Sequence, residues 1–153
     1  MTEEATIRTV TWDQGSVTLS QLRRTVFMVE QGVPPELEWD GEDADACHVI
    51  ATLADGTPAG TARMLEDGHI GRMCVLPPFR RRGIGRALLR TLLKRAAERG
   101  MERVFLHAQV QALGFYRAEG FHPEGPEFLD AGIPHRYMFK RVHPPPGTSG
   151  DGE

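Results

Sequence analysis

Residues 75–89 read VLPPFRRRGIGRALL: two prolines, three consecutive arginines, a Gly-x-Gly, then apolar residues. Pro77-Pro78 must end any strand before it, because proline has no amide to give to a ladder. After Gly83, Leu88, Leu89, Leu92, Leu93, Ala96 and Ala97 recur in pairs every four residues, the broad stripe of an amphipathic helix. Arg86, Arg90 and Lys94 form the opposite, solvated stripe, and Gly100 suits the left-handed residue that follows a helix. The segment is therefore strand, glycine-rich turn, helix start. Unpaired amides and the helix dipole favour an anion at such a point. Glycine lets phosphate approach the backbone, and Arg80, Arg81, Arg82 and Arg86 add forked, charge-assisted donors. A diphosphate suits this chemistry.

Two familiar diphosphate loops do not fit. A Walker A loop needs Gly-Lys-Ser/Thr after its second glycine, which is absent. A dinucleotide-binding turn needs a third glycine where Leu88 stands, and it normally follows the first strand. Here three strands come earlier.

Outward from the turn, Ala5 to Trp12 reads as a first strand. Ser16 or Thr18 is the expected cap of a helix, with Leu19, Leu22, Val26 and Val29 on one face. Gly32 and Pro34-Pro35 end it, and ELEWDGEDADA reads as an acidic loop, either solvated or attractive to a cationic amine. CHVIATL, PAGTARMLE and HIGRMCVL form a meander turned at Asp55-Gly56 and Asp67-Gly68. After the long helix come a buried strand RVFLHAQ, a helix VQALGFYRAEG closed by Gly120, and a last strand RYMFKRV. This order predicts a mixed α/β or α+β sheet covered by helices. The tail from His143, rich in Pro and Gly, is expected to be disordered.

The 153 residues suit one domain, and 18 basic against 21 acidic residues leave a net charge of −3. That balance argues against nucleic acid as a partner. Cys47 and Cys74 make no C-x-x-C pair, so no metal site or disulfide framework is expected and reduced cytoplasmic thiols are the simple reading. Residues 1–10 carry no signal-peptide pattern. No apolar run approaches the ~20 residues that a membrane-spanning helix needs, so no membrane partner is expected.

Arg80-x-x-Gly83-x-Gly85, between VLPP and an amphipathic helix, resembles motif A of the GCN5-related N-acetyltransferase (GNAT) family. AQVQALGFYRAEGF resembles that family's later helix motif, with Gln109 in place of the commoner Asn. VFMVEQGVPPELEWDGEDADACHVIA and GIPHRYM resemble the bacterial ElaA/YjcF-like subgroup. The resemblance implies a GNAT fold over residues 1–142: a mixed, mostly antiparallel sheet of about six or seven strands flanked by about four helices. It also implies acetyl-CoA as acyl donor and an amine as acceptor, in a monomer or homodimer. The pyrophosphate would sit on Arg80, Arg81, Arg82, Gly83, Ile84, Gly85 and Arg86. The pantetheine arm would run along Met73, Cys74 and Val75, where the strand splays from its neighbour, with Gln109, Phe115 and Tyr116 completing the donor site. A backbone amide of that strand could stabilise the oxyanion.

Tyr116 occupies the family's usual general-acid position, since a phenol with an ordinary pKa near ~10 holds a proton that a departing thiolate can take. Glu30, at the end of the first helix, and His135, in GIPHRYM, are candidate bases. His48 and His107 read as hydrogen-bonded core histidines, and Cys74 as a buried small hydrophobe rather than a nucleophile. The alternative to an acetyl-CoA-dependent N-acyltransferase is a catalytically silent CoA-binding regulatory domain of the same fold.

Overall fold

The computed structural model describes residues 5–142; the tail expected to be disordered, residues 143–153, lies outside them. Seven strands form one sheet in the order β1-β2-β3-β4-β5-β7-β6. They are β1 Thr6–Val10, β2 Cys47–Thr52, β3 Pro58–Met64, β4 His69–Val75, β5 Arg103–Gln109, β6 His122–Asp130 and β7 Ile133–Arg141. Every neighbouring pair is antiparallel except β4–β5. The four α-helices are α1 Trp12–Arg23, α2 Pro35–Glu38, α3 Ile84–Glu98 and α4 Leu113–Ala118. The expected mixed, mostly antiparallel sheet with four helices is present.

Each face of the sheet has its own apolar cluster. On one face, Leu88, Leu89, Leu92 and Ala96 of α3 are buried against β2, β3 and β4. On the other, Leu19 and Leu22 of α1 and the following Val26 pack on Val10, Ile50 and Cys74. Burying one such leucine is worth about 1.5–3 kcal/mol, so two clusters suffice to fix both layers. The two hairpins of the meander form where expected, with Gly56 and Gly68 at positive φ.

Four details correct the sequence reading. The cap of α1 is Thr11, not Ser16 or Thr18: its hydroxyl accepts from the Gln14 amide at 3.1 Å, and the Gln14 side chain accepts from its amide in return. Gly15 thus falls inside the helix, where a Cβ would lie only 3.0 Å from the Val10 side chain; glycine lets α1 fold back tightly over β1. Val29 is 76% exposed rather than on the buried face. Residues Arg24–Glu30 continue α1 as a π-helix, and the Gln31 amide reaches back five residues to the Val26 carbonyl. The wider turn rotates Val29 away from the core. Finally, β6 is an edge strand with little apolar alternation, interrupted by Pro123, Gly125 and Pro126, which conceals it from a periodicity reading.

Candidate active site

The strand, turn and helix of residues 69–98 build one wall of a cleft. The β4–β5 ladder joins only His69 to Phe105 and Ile70 to Leu106. Beyond Ile70 the two strands part, as the family resemblance implied, and Gly71–Val75 loses its β5 partner. A register irregularity against β3 falls at the same place, and Arg72 adopts φ +51°, a conformation costly for a residue with a side chain. A cavity of about 660 Å³ opens between the parted strands.

At one end of the cleft stands the head of α3. Gly83 caps it at φ +81°, and Arg81 takes φ +66°. No side chain caps these amides, so they remain available to a ligand. Arg81, Arg82 and Arg86 are exposed. Arg82 lies over the Phe79 ring, and Arg86 approaches Glu119 at 3.3 Å. Arg80 differs from its neighbours. Its guanidinium holds both Glu30 oxygens, at 2.6 and 2.8 Å, and the Val75 carbonyl at 2.8 Å. A Cβ on Gly85 would stand 3.7–4.0 Å from Phe115, Met73 and Val75; the glycine keeps that corner of the cradle open.

Tyr116 lies in the cavity wall beside Met73, its hydroxyl 3.7 Å from the Met73 sulfur. Phe115 and Phe121 meet its ring edge-on. Burial pushes its phenol up to about 12, so the proton stays on oxygen through the neutral range. Cys74 is also buried, its thiol pushed up to about 12 by loss of water, and behaves as a small apolar group. Gln109 donates to Gln31 at 3.0 Å and accepts from Gln111 at 2.6 Å, tying the end of β5 to the segment after the π-helix.

The candidate bases part company. Glu30 is bound by Arg80, whose hydrogen bonds hold its carboxyl below the usual range, and it does not line the cavity. His135 does line it and is buried. Its Nδ1–H donates to the Ile133 carbonyl at 2.7 Å. A carbonyl only accepts, so the other ring nitrogen, Nε2, is the one left to take a proton.

The acidic loop divides: Glu36, Asp40, Glu42 and Asp45 are exposed, as a solvated loop would have them, while two of its carboxylates are drawn into the fold. Glu38 is 2% exposed and Asp43 is buried. Arg23 holds Glu38 at 2.5 Å and Asp43 at 2.7 Å; Arg63 holds Asp43 at 2.8 Å and Asp40 at 2.5 Å. Arg72 reaches Glu38 and Asp40, both at 3.2 Å, and the carbonyls of Leu37 and Glu38. Three cations thus match three anions. Burial pushes the Glu38 carboxyl above its ordinary range in spite of Arg23. Burial also pushes on Asp40 and Asp43, but hydrogen bonds from Arg63 and Arg23 respectively prevail and hold them low. His48 is the expected core histidine, bonded to the Asp43 carbonyl at 2.9 Å. His107 is not: it is exposed on the cavity side, 4.8 Å from the ring of His69.

A family model described as an acetyltransferase (GNAT) domain matches residues 16–142. The chain belongs to the GNAT family. Among GNAT relatives, the uncharacterised N-acetyltransferase YjcF of Bacillus subtilis is 40% identical over 124 residues, covering 78% of this chain and 87% of YjcF. Escherichia coli ElaA, a solved structure, superposes with a TM-score of 0.79 at 28% identity, over 89% of this chain and 99% of ElaA. An acyl-CoA N-acyltransferase from Pseudomonas aeruginosa gives 0.77 at 29% identity, over 88% and 99%. The chain therefore groups with the ElaA- and YjcF-like GNAT proteins.

Sequence reasoning missed Arg72, His69 and the arginines behind the acidic loop. Their partners lie 15 to 38 residues away in the chain, a separation at which no local pattern signals contact. Among the described residues, no group of three or more His, Cys, Asp or Glu is placed to hold a metal ion, and no helix is long and apolar enough to cross a membrane.

Proposed function

We propose that this GNAT protein transfers an acetyl group from acetyl-CoA to an amine by direct attack of the amine on the thioester. The observation that carries the reading is the parting of β4 from β5, which opens a cavity running from Tyr116 along Met73–Val75 to Arg80, just before the head of α3. In this reading the exposed Arg81, Arg82 and Arg86 and the free α3 amides receive the pyrophosphate. Arg80, already held by Glu30 and Val75, shapes the turn. The unpartnered edge of Met73, Cys74 and Val75 hydrogen-bonds the pantetheine arm as an added strand would.

The chemistry needs one proton removed from the amine and one delivered to sulfur. Nε2 of His135 takes the first, directly or through a water. The phenol of Tyr116 delivers the second as the C–S bond breaks and the N–C bond forms. The retained phenol proton favours the enzyme over a silent CoA-binding domain. A cytoplasmic location suits two unpaired thiols.

The test is to offer the protein acetyl-CoA with a broad panel of amines and follow free thiol. Amine-dependent thiol release is expected; intact CoA binding without turnover on any amine would return the silent domain to first place.

A further inference from the structure

The cavity that carries the proposed transfer also restricts the acceptor. Only two guanidinium groups line it, Arg72 and Arg80. The charge of Arg72 is already met by Glu38 and Asp40, and that of Arg80 by Glu30. The arginines exposed for an anion, Arg81, Arg82 and Arg86, stand at the head of α3 and outside the lining. Among the described residues, the acceptor end therefore has no arginine or lysine to spare for a carboxylate or phosphate on the incoming molecule.

It does have an anion to spare. Asp130, at the end of β6, lines the cavity and forms no ion pair with any described residue. Burial holds the nearby His107 ring below its ordinary range in spite of Asp130, which leaves that ring neutral beside the carboxylate. The rest of the lining is largely apolar or aromatic, with Phe27, Val33 and Leu37 on one side and His69 and His107 on the other, and its further polar groups are the neutral amides Gln31 and Gln109 and the arginine-bound Glu38 and Asp40. An acidic substituent beside the reacting amine would lose water without gaining a partner, and would meet Asp130 as a like charge.

We infer that the acceptor is a small amine on an apolar or aromatic body without an acidic group, held between the Phe27–Leu37 wall and the histidine wall with Asp130 at the mouth. The inference rests on the acetyl-transfer reading and narrows its substrate class; it excludes free amino acids as preferred acceptors.

Three acceptors with one shared body test it: phenethylamine, phenylalaninamide and phenylalanine, each offered with acetyl-CoA to the full chain. The first two are expected to turn over, and phenylalanine to show a kcat/KM lower by roughly tenfold or more. Asp130→Asn should narrow that gap by raising the phenylalanine value. Phenylalanine used as well as its amide would overturn the inference while leaving acetyl transfer intact. So would turnover confined to carboxylate-bearing amines, or silence of all three in a protein that still binds acetyl-CoA. A gap unchanged in Asp130→Asn would overturn the part given to Asp130. Failure to bind acetyl-CoA at all would strike the transfer reading beneath it.

Discussion

At the head of α3, Arg81, Arg82 and Arg86 stand in solvent around amides that nothing caps. Across the cleft, Glu38 and Asp43 are buried and bound to Arg23, Arg63 and Arg72. Both segments are conspicuously charged in sequence, one basic and one acidic. In the proposed function the first lends its charge to a ligand; the buried carboxylates of the second spend theirs on the fold. The difference is solvation. A charge left in water costs little to hold and can be lent to a ligand, whereas a buried charge must be paired where it stands. Exposure, and not the density of charge, therefore separates a binding segment from a structural one in this protein.

The sharpest way to break the comparison is to remove charge on each side. Arg23→Ala leaves Glu38 and Asp43 facing one another with little water, and should cost about 3–5 kcal/mol in denaturant unfolding. Lys94→Ala, on the solvated side of α3, should stay within about 0.5 kcal/mol. Equal small losses would show that the loop carboxylates are not held as described.

Within the cleft, Tyr116→Phe should lower kcat by about 10²-fold while CoA affinity measured by titration calorimetry holds steady. An unchanged kcat removes the phenol from the chemistry. Because the phenol is pushed up to about 12, the wild-type rate should show no alkaline fall from Tyr116 through pH 9.

Arg72→Lys is expected to act more weakly. It keeps a cation near Glu38 and Asp40 but gives up the forked reach to the Leu37 and Glu38 carbonyls. That loosens the wall on the acceptor side, so KM for the amine should rise severalfold and KM for acetyl-CoA should hold. A rise confined to acetyl-CoA would contradict the division between the two sides.

The smallest effect concerns acid. Asp40 and Asp43 are held below their ordinary range, so they stabilise the fold above the unfolded aspartate range near ~4 and lose that contribution as pH falls below it toward their own lower range. Glu38 is shifted the other way and offsets part of the loss. A modest fall in Tm is expected from about pH 5 down to about pH 2; a rise over that interval would mean that the buried glutamate dominates.

The geometry of the turn and of α3 was legible in the sequence because its features are local. The turn, the caps and the α3 stripe lie within 26 consecutive residues, 75–100, and helix periodicity and glycine geometry operate over that distance. Fold class followed from the same segment and the meander before it. The acceptor side was not legible. Arg72 meets Leu37 and Asp40 only because α1 continues as a π-helix and the next loop folds over the β4 irregularity. RVFLHAQ reads as a strand buried throughout, which puts His107 in the core, but only Val104, Leu106 and Ala108 are buried and His107 stands on the opposite, exposed face. The edge strand β6, which brings Asp130 to the cavity, has too little apolar pattern to announce itself.

The most direct test of the account is titration of acetyl-CoA into the wild-type protein and into an Arg82→Glu/Arg86→Glu variant. Stoichiometric binding to the wild type is expected, weakened by more than about tenfold in the variant, with only a small loss of Tm because both side chains are exposed and Arg90 still holds Glu119, the partner of Arg86. Equal affinity in the two proteins, or no binding to either, would contradict the assignment of the α3 head to the donor.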